Sequence, residues 1–590
     1  MNAARFLEHF DRICEAPDAV PRLRRFILDL AVRGKLVEQD PGDEPVTQLL
    51  KQVQAERDQL MRQRLLKRVK AEPQSTEDGI PFDLPTTWRW VPLQHLIVFG
   101  PQNGISPRPS ARADAPKAIT LTATTKGVFD PRHFKHVEVS ISQHSEYWLR
   151  PGDLLFQRGN TREYVGMAAY YNGEPYLFVY PDLMMKVRVS DRVSLSYIHL
   201  CAVAPHARAY FSTHASGAQA TMPKINQATL VRLPVPLPPL AEQRRIVAKV
   251  DELMTLCDRL ETAQAKREGR RARLTAASLH RLGQPAPSDQ KAEATAFREH
   301  ARFHLRHLPR LTSRSEQIQQ LRQTILELAV RGRLVPQDPD DEPAYELLKR
   351  IESEKARLVR EGNFRRAKPL NPPTEDEVPF ATPRSWRWVR IGTCSLLIDY
   401  GTSVKSDVMV DGAPILKMGD VQGGRVLLGG QKKVPHGIQD LPRLYLNRFD
   451  LLYNRTNSAE LVGKTGIFLG EDELYTFASY LIRIRFVNSL LDAVYLNLAM
   501  NAPFFRATQI VPELQQQCGQ ANVNGTKLRS MVVPLPPLAE QHRIVAKVDD
   551  LMSLCDQLEA RLTTGQTEKS RLLEAVLHEA LEPAVARAVA

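Results

Sequence analysis

From Ile246 the apolar residues recur at Val250, Leu253, Cys257 and Leu260, in steps of four, three, four and three. That period predicts a helix with a single apolar seam. Val548, Leu551, Cys555, Leu558 and Leu562 repeat the pattern. Pro234, Pro236, Pro238 and Pro239 cannot lie inside a helix, so the first seam helix is predicted from Leu240 to about Leu282 and its counterpart from Leu538 to Leu581. At about 1.5 Å per residue each is a rod of roughly 60 Å. LRRFILDLAVRG and LRQTILELAVRG predict a shorter helix capped by Gly34 or Gly332. Helical spacing resumes over Leu49 to Leu66 and Leu347 to Leu358, after the turns PGDEP and PDDEP. Elsewhere the pattern changes to short runs such as AITLTAT, LMMKVRV, KTGIFL and YLIRIRF, broken by glycine and proline. Those runs predict strands of compact mixed α/β domains.

The two seam helices belong to a duplication. PLPPLAEQRRIVAKVDELMTLCDRLE, from Pro236, returns 298 residues later as PLPPLAEQHRIVAKVDDLMSLCDQLE with 22 of 26 positions identical. LAVRGKLVEQDPGDEP at Leu30 returns as LAVRGRLVPQDPDDEP at Leu328, and WRWV at Trp88 to Val91 returns at Trp386 to Val389, each at the same offset. Between these shared segments the copies diverge. Only fragments align there, such as RPGDLLFQRGNTREYVG at Arg150 with NRFDLLYNRTNSAELVG at Asn447, and KINQATL at Lys224 with NVNGTKL at Asn522. The chain therefore divides into a helical frame over 1–85, an insert over 86–236, a spacer helix over 237–284, a linker over 285–315, a second frame over 316–384, a second insert over 385–534, and a second spacer helix over 535–590. REHARFHLRHLPRLTSR, within the basic segment 297–315, has no aligned partner in the first copy and reads as a solvated linker.

Composition narrows the function classes. No run of 18 apolar residues is present, and the first residues lack an apolar signal region, so a cytoplasmic protein with no membrane partner is expected. Six cysteines without CxxC or Cys/His spacing are expected to be reduced thiols rather than metal ligands. A net charge of +13 favours a polyanionic partner, because each cation that neutralises a phosphate releases a counterion.

Two motifs that would announce an enzyme fall short. LVGKT at Leu461 lacks the first glycine of a phosphate-binding loop, Ser458 standing in its place, and precedes a strand-like GIFLG. NPPT at Asn371 has Thr374 where an adenine methyltransferase signature carries an aromatic residue. The duplicated tryptophans of WRWV are expected to anchor each insert to its frame, with base stacking as the other reading.

Taken together, PLPPLAEQ[RH]RIVAKVD[ED]LM in duplicate, LAVRG[KR]LVxQDPxDEP before each insert and WRWV at each insert's entry resemble the specificity subunits of Type I restriction-modification enzymes, over essentially the whole chain. The resemblance implies an α/β (α+β) fold with two globular mixed α/β target recognition domains, Trp88 to Pro234 and Trp386 to Val532. These would be separated by a long antiparallel two-helix coiled coil with pseudo-twofold internal duplication, whose seams Ile246 to Leu260 and Val548 to Leu562 pack on each other. It implies a non-catalytic chain that reads bipartite double-stranded DNA, one half-site per domain. Two modification subunits using S-adenosylmethionine and restriction subunits using ATP and Mg would be its partners, with no cofactor in the chain itself. The alternatives are a stand-alone DNA methyltransferase and a protein-only coiled-coil scaffold.

Base edges are read by Arg, Lys, Asn, Gln, Ser and Thr. One candidate set is Gln157, Arg158, Asn160, Thr161 and Arg162, with Asn454, Arg455, Thr456 and Asn457 in the second insert. It reads equally well as a turn after the strand DLLF or DLLY. The other set is Gln219, Thr221, Lys224 and Asn226, with Gln520, Asn522, Asn524 and Lys527. The resemblance implies that this second set lies on a loop facing DNA.

Overall fold

In the computed structural model, residues 13–66, 81–142, 145–216, 222–283, 290–362, 368–517 and 520–581 are described. They form two units, one of Met1–Lys266 with Gln566–Ala590 and one of Arg267–Gly565.

Each unit is built on the same frame. In the first, Ala19–Val32 and Val46–Arg62 are helices, and in the second Ser315–Val330 and Ala344–Arg360 are their counterparts. The first helix of each pair stops where Gly34 or Gly332 adopts φ +67°, as the C-cap reading expects. A Cβ at either glycine would lie 2.5 Å from Pro85 or Pro383, so close packing also demands glycine there. The long helices run Leu240–Gly283 and Leu538–Leu581. Arg245 holds Asp43 through Nη2 at 2.6 Å, and Arg543 holds Asp341 at the same distance.

The insert enters and leaves its frame through one antiparallel ribbon. Arg89–Pro92 pairs with Pro234–Leu237, and Arg387–Arg390 pairs with Val532–Leu535. Trp88 and Trp386 beside these ribbons are only 2% and 1% exposed, so they are core anchors rather than stacking platforms. Within the first insert a four-stranded sheet has the order Ile97–Asn103, Met184–Val189, Leu154–Gln157, Ala168–Tyr170. The second repeats that order as Ser395–Tyr400, Leu481–Phe486, Leu451–Asn454, Thr465–Ile467, then adds Arg425–Val426 and Val421–Gln422. Unlike sequences thus adopt one topology. A buried ion pair lies in each sheet: Asp153 with Arg188 and Lys186, and Asp450 with Arg485, beside Arg483 on Asp399.

Three expectations change. The seam positions Ile246, Val250 and Cys257 are buried in one cluster with Val20, Ile27 and Ala31 of their own unit, and Leu253 and Leu260 pack against it. Val548 and Cys555 likewise join Ile318, Ile325 and Ala329, with Leu551, Leu558 and Leu562 alongside. The partner of each stripe within its unit is therefore the first frame helix, which the sequence pattern could not name. AITLTAT is a strand only over Lys117–Ile119, followed by a turn of 3-10 helix at Leu121–Ala123.

The third change concerns the stretch read as a linker, which is helical over Gln290–Leu311. Phe297, Ala301, His304, Leu308 and Leu311 recur at helical spacing. His304 and Leu311 are buried, with Ser278 Oγ 2.9 Å from His304 Nδ1 and Thr275 Oγ1 donating to Leu311 O at 3.0 Å. Ile13, 298 residues before Leu311, is likewise buried, against Leu573 and Leu577.

One frame contact makes the first unit acid-sensitive. His206 packs on Phe82 and Trp90, where the second unit has Phe504 on Phe380 and Trp388. Burial first, and then the Arg33 charge, pushes His206 down to about 4, against its bond to Pro234 O. Below the ordinary histidine value the unfolded chain takes up a proton that the folded one refuses, so stability is lost as pH falls from about 6.5 toward 4. Going from pH 7 to pH 5 should cost the first unit about 2 kcal/mol. His206→Phe should abolish that loss, as measured by urea unfolding at the two pH values.

Candidate nucleic-acid interface

The strand Leu154–Gln157 runs straight into the first candidate set, and Leu451–Asn454 does so in the second insert. The backbone there is bonded identically in both. Arg158 N donates to Leu183 O at 2.7 Å and its carbonyl accepts from Ile225 N at 2.9 Å. Arg455 N donates to Tyr480 O at 3.1 Å and its carbonyl accepts from Val523 N at 3.0 Å. The two candidate sets, some 65 residues apart in sequence, therefore meet along one edge in each insert: Gly159 bridges Lys224, and Thr456–Asn457 pairs antiparallel with Gln520–Asn522.

Side chains on this edge divide into scaffold and exposed groups. Gln157 is scaffold: fully buried, its Nε2 donates to Leu121 O, Thr124 Oγ1 and Thr125 Oγ1 at 2.8, 2.9 and 3.1 Å, and its Oε1 accepts from Asn160 Nδ2 at 2.6 Å. A side chain so committed cannot also read a base, and that candidate role is corrected to a structural one. Asn454 is buried as well, and its Oδ1 meets no donor among the described residues. Asn226 and Asn524 cap short helices, accepting from Thr229 N at 2.7 Å and Lys527 N at 2.9 Å. Lys527 is ion-paired with Glu513 at 2.6 Å. Asn160 and Asn457 accept from Thr161 N and Ser458 N, fixing the turn that the alternative reading foresaw.

The remaining candidates face outward. Thr161, Arg162 and Lys224 are exposed, and Arg158 is half-buried; Arg162 Nη1 donates to Ser212 O at 3.1 Å. In the second insert Arg455, Thr456, Asn457 and Asn522 are half-buried, with Thr456 Oγ1 3.4 Å from Asn522 Oδ1. Gln219 and Thr221 lie outside the described residues, as does the side chain of Gln520. Sequence reasoning missed Asn103 and Tyr400, which end the first strand of each sheet, Tyr400 lying under the Arg455 guanidinium. The signal was a following glycine, Gly104 or Gly401, where a Cβ would lie 2.2 Å from Tyr180 O or Phe477 O.

LVGKT leads into a strand rather than a helix N-terminus. Gly463 of LVGKT has φ +88° and packs where a Cβ would meet Ile510 at 2.2 Å, and the chain then enters the strand Thr465–Ile467. Among the described residues no His, Cys, Asp and Glu group could hold a metal ion, and no helix is long and apolar enough to cross a membrane. Cys201, Cys257, Cys394 and Cys555 are free and buried, and burial pushes Cys201 and Cys394 up to about 12.

A family model described as the Type I restriction modification DNA specificity domain matches residues 103–268 and again 403–564. The chain is 30% identical over 577 residues to the Type I restriction enzyme EcoEI specificity subunit of Escherichia coli, covering 95% of this chain and 94% of that one. It is 28% identical to the EcoAI specificity subunit of the same species, at 95% and 94% coverage. A crystal structure of the HsdS subunit from Thermoanaerobacter tengcongensis is similar over 85% of this chain and 98% of that chain, at 18% identity and a TM-score of 0.40.

Proposed function

Because the chain belongs to the Type I restriction-modification DNA-specificity subunits, we propose that each insert reads one half of a bipartite duplex site through the edge that carries Arg158 or Arg455. The observation that carries this reading is the edge itself: one backbone hydrogen-bond pattern, made twice, presenting different side chains. A common scaffold with exchangeable surface groups is what two unlike half-sites demand, since base identity is read by side chains while the scaffold sets register. The chain supplies specificity rather than catalysis. Exposed Lys224 and Arg162, on a chain of net charge +13, add phosphate attraction that is independent of sequence.

The long helices act as spacers between the half-sites, and the duplicated frame offers equivalent docking surfaces to two modification subunits. S-adenosylmethionine, ATP and Mg are used by those subunits and by the restriction subunits, in the cytoplasm. The test is a footprint of the full chain with its modification partner on a genomic fragment. Two protected tracts separated by an unprotected gap are expected; a single continuous tract would overturn the reading.

A further inference from the structure

Three backbone positions recur around the edge arginine of each insert. They are the last residue of the first sheet strand, the arginine, and the first residue of the helix capped by Asn226 or Asn524. The residues are Asn103, Arg158 and Gln227 in the first insert, and Tyr400, Arg455 and Gly525 in the second. Two of the three differ, and the differences compensate. The Tyr400 hydroxyl accepts from Gly525 N at 2.6 Å, and a Cβ on residue 525 would lie 2.9 Å from that same oxygen. Tyrosine at one position therefore favours glycine at the other. The smaller Asn103 leaves room for Gln227, whose Nε2 donates to Asn103 Oδ1 at 3.3 Å.

The arginine is held differently as a result. The Arg455 guanidinium lies over the Tyr400 ring, 4.8 Å from its centroid, and Nη1 donates to Ser479 O at 3.3 Å. A ring face and a carbonyl restrict the rotamers of an otherwise flexible side chain and keep its planar fork in one orientation. Arg158 has no such ring beside it among the described residues, and the positions equivalent to Tyr400 and Gly525 hold the two amides.

Resting on the function proposed above, we infer that this slot sets one base of each half-site. Arg455, clamped by Tyr400, takes a guanine through O6 and N7, and the Asn103–Gln227 amide pair takes an adenine through N6 and N7. Those pairings follow from donor and acceptor geometry in the major groove. Tyr400 is a positioning residue and Arg455 is the reader.

The test is selection from a randomised duplex library by the full chain with its modification partner. Arg455→Lys keeps the charge but loses the fork, and is expected to reduce guanine enrichment at one position of one half-site about tenfold, leaving every other position unchanged. Tyr400→Asn should have the same effect, Tyr400→Phe should retain guanine because the ring remains, and Tyr400→Asn with Gly525→Gln should shift that position toward adenine. Unaltered base preferences in Arg455→Lys, or an even weakening on all sequences as for a phosphate contact, would overturn the slot. Unaltered guanine preference in Tyr400→Asn would overturn the clamp. A contiguous motif selected by the unmodified chain would sink the bipartite reading alone, because Arg455→Lys would still report on its one base.

Discussion

Replacing residues 391–531 by residues 93–233 is expected to give a chain that selects the first half-site twice and no longer selects the second. The junctions make this exchange physically reasonable. Leu93 N donates to Leu233 O at 2.9 Å, and Ile391 N donates to Met531 O at 2.9 Å, so the graft begins and ends across one ladder rung in both contexts. The contacts from insert to frame are also shared. Tyr197 donates to Pro236 O at 2.7 Å and Tyr495 to Pro534 O at 2.9 Å; Ser194 N and Asp492 N donate to Gln243 and Gln541, both at 2.9 Å. The receptors are mostly backbone and duplicated glutamines, so the grafted insert meets partners it already has. At about 1–3 kcal/mol per mismatched pair, the preference for the original second half-site is expected to fall about 5- to 150-fold for each base pair that the insert reads. Library selection measures it directly, and retention of the original second half-site would show that the insert does not carry its specificity.

Trp386→Ala should be the most damaging single substitution in the second frame, at about 3–5 kcal/mol. The indole is 1% exposed, meets Tyr495 edge to face with centroids 6.4 Å apart, and lies against Gly332. Its Nε1 donates to Glu540 Oε2 at 2.8 Å. Burial pushes the Glu540 carboxyl up, while Trp386 and Gln337 pull it back by hydrogen bonding. Removing the indole therefore opens a cavity and strips one donor from a buried carboxylate, and the two costs add. Trp386→Phe should recover the packing but not the hydrogen bond and fall between. Hydrogen exchange over residues 387–390 and 532–535 reports the loss where the ribbon opens; protection equal to the parent chain would refute the anchor role.

The two long helices were legible because their signals are local, whereas Gln290–Leu311 was read as a linker. Prolines before Leu240 and Leu538 and an apolar residue every three or four positions suffice to start and extend a helix, and the observed starts match. The strands LMMKVRV and YLIRIRF were legible from β-rich runs, whereas AITLTAT bends into a turn within the same composition. Gln157 was misplaced because residue type alone cannot distinguish a glutamine that reads a base from one that ties down Thr124 and Thr125. The recurring slot around the edge arginine was invisible for a similar reason: Tyr400 and Gly525 are 125 residues apart in sequence.

By itself, then, the sequence determined the duplicated frame, the long helices, the family and the location of variability, because identities at a constant offset and short-range periodicity are written in consecutive residues. Only the tertiary structure decided that the divergent inserts share one sheet order, that the two candidate sets form a single edge, and that each seam packs on its own first frame helix. Those outcomes depend on contacts between residues far apart in the chain, where many different side chains fill the same space and satisfy the same backbone hydrogen bonds.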